Sequence, residues 1–299
     1  MNYLDLPLKE LHEALVAKKV TPLELTEEAL KRAHANKDNA FEYLDDEGAK
    51  AFAKTLVEPE KDNPLWGIPY FAKDNFSTKG IPTTASSNIL TGYVPVYDAT
   101  VISKLKAAKA AMIGKTTLDE LAMGGTGTTG HLGKTFNPYD PKHERMIGGS
   151  SCGSAASVSA SIVPFALGSD TGDSVRKPAS YAGLVGMKPT WGRISRYGLF
   201  PFAPSLDHVG YFTRDVYASA VLLDVLAGRD NHDSTSSTKP VEHYEEKLGQ
   251  PVKGMKVAVL KMVTDSIKDE AIKTHFYASL EELKKQGVQV DFVEFGRDL

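Results

Sequence analysis

The chain has 299 residues, of which 41% are hydrophobic and 24% charged, and its net charge is −3. That is enough apolar material for one large domain or two ordinary ones, and too even a charge balance for a protein that grips nucleic acid unaided. The single cysteine excludes an internal disulfide framework and fits a reducing compartment.

The N-terminal stretch carries acids and no apolar segment of the secretory kind, and no run reaches the ~18 apolar residues of a membrane span. A cytoplasmic location is expected. Leu8, Leu11, Leu15 and Val16 share one face of a helix expected between Pro7 and Lys19. Thr21, Pro22 and Glu24 form a capping box with proline in the first turn, opening a second helix to about Asn36. A weaker third helix is expected over Glu47 to Thr55, so that residues 1–60 read as a helical outer layer and 61–299 as the catalytic core of one domain.

Ile68 to Ala72 reads as a buried strand that ends in Lys73. A helix over Asp98 to Ala110, a strand over Ala111 to Gly114 and a short helix over Leu118 to Met123 follow, and then a Gly/Thr loop, Gly124 to Gly133. Ser154 to Ser161 is expected to be a tightly packed helix of small residues, and Leu184 to Lys188 another strand. Asp215 to Leu226 is helical, and the tail reads strand (Lys256 to Leu260), helix (Asp269 to Gln286), strand (Val288 to Phe295). Strands alternating with helices predict an α/β fold with a mixed, largely buried central sheet covered by helices on both faces.

Two Gly/Ser-rich loops frame Gly148 to Ser174, separated by apolar residues that no flexible linker would contain. Glycines there let backbone N–H groups approach a ligand, and serines can attack if a base is near. Several familiar motifs fail on this stretch. A phosphate loop needs lysine where Ser154 stands, and a nucleophile elbow at Ser151 needs a preceding strand where Pro138 to Arg145 is charged and turn-rich. Asp170-Thr171-Gly172 imitates an aspartic-protease loop without a second copy. Cys152 reads as a small space-filling residue, since no histidine is placed to favour its thiolate. The eight histidines show no metal spacing, and no metal is expected. Serine with lysine remains. Lys73 can serve as base if burial lowers its pKa by roughly three units, or it can be a strand-end lysine reaching water. The residues by themselves leave both readings open.

Lys73-Asp74-Asn75, Gly148-Gly149-Ser150-Ser151 and Ser169-Asp170-Thr171-Gly172-Asp173-Ser174 together resemble the amidase signature enzymes, with Ser150 and Ser174 standing 24 positions apart. Val175 to Ser180, Gly186 to Thr190, Gly192 to Gly198 and the stretch from Ser205 to Arg214 continue the likeness. They are most similar to the branch that provides the A subunits of glutamyl-tRNA(Gln) and aspartyl-tRNA(Asn) amidotransferases. The resemblance implies Ser174 as nucleophile, Ser150 as a bridging serine on a cis peptide bond, and Lys73 as neutral base. Backbone N–H groups at Thr171, Gly172, Asp173 and Ser174 would hold the oxyanion. It further implies glutamine as substrate, no cofactor in this chain, and B and C subunits as partners. The B subunit would use ATP and Mg²⁺ and handle the tRNA.

Three departures stand out. Asp173 occupies the second position of the family's Gly-Gly. A carboxylate aimed at the oxyanion from about 4 Å would cost ~4 kcal/mol at an effective dielectric near 20, about a thousandfold in rate, so Asp173 is expected to turn its side chain away. Cys152 replaces a glycine. Family chains also extend further, through residues that grip the glutamine α-carboxylate and α-amino group. A free-standing amidase for another carboxamide and an inactive truncated scaffold are the alternative expectations, and if the chain is truncated an exposed apolar patch is expected where the missing segment would pack.

Overall fold

The structure, a computed structural model, describes residues 2–294. The elements in chain order are α1 (Leu8–Val16), α2 (Pro22–Ala35), β1 (Phe41–Leu44), α3 (Asp46–Thr55), β2 (Pro69–Lys73), α4 (Thr100–Ala107) and β3 (Ala111–Thr116). They continue with α5 (Cys152–Ser159), β4 (Phe165–Asp170), α6 (Arg176–Tyr181), β5 (Val185–Met187), β6 (His208–Thr213) and α7 (Val216–Leu226). Last come β7 (Lys256–Leu260), α8 (Lys261–Thr264), α9 (Glu270–Lys285) and β8 (Gln289–Val293). The end of the last strand, expected at Phe295, lies outside the described residues.

The chain divides into two compact units, residues 1–246 and 247–299. In the first, six strands form one sheet in the order β1-β3-β2-β4-β6-β5. β2 runs parallel to β3 and β4, while β1, β6 and β5 join antiparallel to their neighbours, so the sheet is mixed as expected. All residues of β2 and β4 are buried, which requires cover on both faces because alternate side chains point to opposite sides.

The N-terminal helices belong to this unit. Leu4, Leu8, Leu11, Leu15, Leu25 and Leu30 lie in the same buried cluster as Tyr70, Phe71, Phe165 and Phe212. The capping box forms as the sequence predicts. The Glu24 N–H donates to Thr21 Oγ1 at 3.2 Å, and Glu24 Oε2 accepts from the Thr21 N–H at 2.8 Å.

β1, β4 and β6 are additions to the predicted elements. β1 is a half-buried four-residue edge strand, too short to show alternation, and its pairing with β3 defines it. β6 carries Gly210, which weakens a strand signal, but pairs with β4 along six positions. β3 extends past Gly114 to Thr116, and the helix expected over Leu118 to Met123 reduces to a 3₁₀ turn, Glu120–Ala122.

α5 begins at Cys152 and presses directly on the sheet. A Cβ on Gly153 would sit 2.3 Å from the Ala40 carbonyl oxygen, and the Ser154 hydroxyl donates to the Leu167 carbonyl at 2.7 Å.

The second unit is a parallel pair, β7 and β8, connected through α8 and α9. Asp269 caps α9 by accepting from the N–H groups of Ala271 and Ile272. Among the described residues, no helix is long and apolar enough to cross a membrane.

Candidate active site

Parallel strands deliver their C-terminal ends to one edge of a sheet, where α/β proteins commonly place ligands. β2 ends in Lys73, and its neighbour β4 ends in Ser169 and Asp170. The Lys73 side chain is completely buried, with Nζ 2.7 Å from Ser150 Oγ and 2.9 Å from Ser169 Oγ. Asn75 Nδ2 donates to the same Ser169 hydroxyl at 2.9 Å. Lys73 and Ser150, both singled out from the sequence, are therefore in direct contact across 77 positions of chain. Ser169 and Asn75 belong to the motifs, but sequence reasoning does not single them out. Their signal is position, Asn75 two residues after Lys73 and Ser169 five residues before Ser174.

Burial pulls the Lys73 pKa down to about 7, against the opposing pull of the Asp119, Asp170 and Asp207 carboxylates. A large fraction of the side chain is thus neutral near physiological pH, with a lone pair available to a hydroxyl proton. The Cys152 thiol is also buried, and burial pushes it up to about 11. It stays protonated and fills space, with its sulfur 3.6 Å from the Thr117 carbonyl.

Ser150 follows a cis peptide bond, Gly149–Ser150. Glycine is required at 149, where a Cβ would come within 2.0 Å of Asp119 Oδ2. The Asp119 N–H donates to the Ser150 carbonyl at 3.1 Å. Its carboxylate accepts from the N–H groups of Thr126, Gly127, Thr128 and Thr129, and from the Thr129 hydroxyl. Burial works to raise the Asp119 pKa, but those donors outweigh it and hold the group below the usual carboxylate range. The Gly/Thr loop is thereby tied to the serine-bearing segment.

Ser174 lies in the turn from β4 to α6 and is 6% exposed, unlike the fully buried Ser150. The Ser151 N–H donates to the Ser174 carbonyl at 3.2 Å, so the two serine segments adjoin. Asp170 anchors the turn, accepting from the Val175 and Arg176 N–H groups and from the Arg176 guanidinium. Thr171 donates its hydroxyl to Asp207 Oδ1 at 2.6 Å, and Gly172 faces open space. Asp173 turns its carboxylate to Lys177 Nζ, 2.8 Å away. Among the described residues, no group of three or more His, Cys, Asp or Glu side chains could hold a metal ion.

A buried lysine of depressed pKa against a serine, beside glycine-rich turns at parallel strand ends, is the equipment of a serine-lysine hydrolase. The Amidase family model matches residues 24–297, and the chain belongs to that family. Its fold is the amidase signature fold.

Within the family, the chain is 45% identical to the A subunit of glutamyl-tRNA(Gln) amidotransferase from Pediococcus pentosaceus, over 99% of this chain and 62% of that protein. It is 44% identical to the corresponding protein of Listeria innocua, over 98% of this chain and 61% of the relative. The chain thus spans about three fifths of the length of the curated relatives it matches. Among solved structures, the A subunit of glutamyl-tRNA(Gln) amidotransferase from Thermotoga maritima superposes with a TM-score of 0.85 at 38% identity, over 98% of this chain and 62% of that one. The native peptide amidase from Stenotrophomonas maltophilia gives 0.89 at 30% identity, over 98% and 62%.

Proposed function

We propose that this chain carries the glutamine-hydrolysing centre of a tRNA-dependent amidotransferase. The observation that carries the reading is the fully buried Lys73, lowered to about 7 and hydrogen-bonded to Ser150 at 2.7 Å. In this reaction Lys73 accepts the Ser150 proton while Ser150 takes that of Ser174. The Ser174 oxygen then bonds to the side-chain carbonyl carbon of glutamine. The N–H groups of Thr171, Gly172, Asp173 and Ser174 receive the oxyanion. Return of the proton through Ser150 to nitrogen breaks the C–N bond and releases ammonia, leaving a glutamyl ester on Ser174. Water, deprotonated along the same path, hydrolyses that ester to glutamate and restores Ser174.

The likeness to the amidotransferase A subunits supports B and C subunits as partners, with ATP and Mg²⁺ acting on the B subunit and this chain needing no cofactor. The ammonia would then convert misacylated Glu-tRNA(Gln) to Gln-tRNA(Gln), in the cytoplasm. The likeness to the peptide amidase supports a second reading, an amidase that acts on another carboxamide without partners.

The deciding experiment measures ammonia release from glutamine by the chain alone and with B and C subunits, beside Ser174→Ala. Release that requires Ser174 and rises with the partners is expected. Ser174-dependent release from glutamine that is indifferent to the partners overturns the tRNA-dependent reading, Ser174-dependent release from a peptide amide but not from glutamine favours the second, and release unaffected by Ser174→Ala overturns both.

A further inference from the structure

Two attachments of the Gly/Thr loop bear on the serine segments. On one side Asp119 collects the amides of residues 126–129 and hydrogen-bonds the Ser150 carbonyl. On the other, Lys177 reaches from α6 and donates to the Gly125 carbonyl at 3.4 Å. Its ammonium is simultaneously 2.8 Å from the Asp173 carboxylate. A Cβ at residue 125 would lie 2.7 Å from Lys177 Nζ, so the ammonium sits directly against the loop backbone.

Exposed i,i+4 ion pairs contribute little to folding, and these side chains are 29% and 47% exposed. The pair's place in the structure is therefore more telling than its contribution to stability. Asp173 immediately precedes Ser174, its backbone N–H belongs to the turn assigned to the oxyanion, and its carbonyl accepts the Lys177 N–H at 2.8 Å. One charged side chain thus ties the Ser174 turn to the loop that Asp119 ties to Ser150.

We propose that Asp173 and Lys177 are positioning residues: their ion pair clasps the loop at Gly125 to the turn at Ser174 and so fixes the geometry of the N–H groups around the reacting carbonyl. The catalytic part of this inference rests on the function proposed above; the clasp itself does not. A donor displaced by a fraction of an ångström loses electrostatic stabilisation that exists only in the transition state, so the signature is in kcat and not in KM.

The test uses the full chain with its B and C partners and glutamine as substrate. Asp173→Asn and Lys177→Met are each expected to lower kcat about fivefold, equivalent to about 1 kcal/mol, with KM within about twofold. The double variant falls no further than either single one, and Asp173→Glu and Lys177→Arg recover most of the rate. Losses that multiply in the double variant, or that appear in KM alone, overturn the proposal. Hydrogen exchange provides a readout independent of turnover. Amides 124–130 and 171–174 are expected to exchange faster in both single variants, and unchanged exchange overturns the clasp. Should the wild-type chain show no Ser174-dependent ammonia release, the proposed function fails, and the exchange result alone then decides the clasp.

Discussion

Lys73, the proposed base, carries a large desolvation cost on one nitrogen. A base that must be neutral to act loses activity as it protonates. Below a pH of about 7, kcat/KM is therefore expected to fall about tenfold per pH unit, read from a pH–rate profile. Lys73→Met is expected to reduce turnover by about a hundred- to ten-thousandfold, the usual contribution of a positioned base. The same substitution has the opposite effect on the fold. The Lys73 pKa is about 7 in the folded chain against 10.5 ordinarily, so between those values the unfolded chain binds more protons and the stability of the wild-type protein rises with pH. Lys73→Met should consequently stabilise the protein most near and below pH 7, with the gain shrinking towards pH 10.5. Urea unfolding at about pH 6.5 and about pH 9.5 measures that difference, and an equal effect at both values would falsify the assigned cause.

The second buried lysine, Lys115, has another task. Its Nζ lies 3.2 Å from Asp74 Oδ1 and donates to the Phe76 carbonyl and the Thr83 hydroxyl, binding the segment just after Lys73. Removing one partner of a buried pair strands the other charge. Lys115→Met is expected to destabilise the fold by about 3–5 kcal/mol, seen as a lower denaturation midpoint at unchanged slope.

At the scale of elements, the site depends on how closely α5 approaches the sheet. The approach is made by Gly153 against Ala40 and Thr117, and by Ser154, whose hydroxyl meets both Thr116 Oγ1 at 2.7 Å and the Leu167 carbonyl. Gly153→Ala places a methyl group 2.3 Å from a carbonyl oxygen and 2.7 Å from a backbone nitrogen, neither of which can swing aside. Overpacking of that kind typically costs about 1–3 kcal/mol, and thermal denaturation would show it. Because α5 starts at Cys152, two residues after Ser150, the same substitution should also lower kcat. α5 carries no apolar stripe, because nearly its whole circumference is buried.

At the scale of the whole molecule, the two units differ in how fully they cover their apolar side chains. In the second unit Met262, Val263, Ile272, Phe276 and Phe292 are exposed, while Val259, Leu280 and Val288 are its buried hydrophobic residues among those described. A two-stranded sheet with so small a core has little to hold it together. The protein is expected to bind a hydrophobic dye, and limited proteolysis is expected to cut first beyond residue 246. A dye-silent protein cleaved first within residues 1–246 would contradict this account.

Much of this molecule is local enough to read from the chain. The Thr21–Glu24 capping box, the apolar run into Lys73 and the small-residue helix after the first Gly/Ser loop depend on neighbours a few positions away. The linked motifs around Lys73, Ser150 and Ser174 pointed to the family to which the chain belongs. Composition and spacing could not choose between a lysine in water and a neutral one, because that choice depends on desolvation. Desolvation is set by β4, α5 and the 149–151 segment closing over the end of β2. Nor could they show Asp119 gathering the amides of the Gly/Thr loop, or Asp173 paired with Lys177. Edge strand β1 and central strand β6 were equally hidden, since their hydrogen-bond partners lie far along the chain in no pattern that periodicity records. The sequence determined which residue types and backbone freedoms were available. Tertiary packing alone decided which lysine lost its water and which serine it faced, because pKa and contact are properties of surroundings assembled from distant parts of the chain.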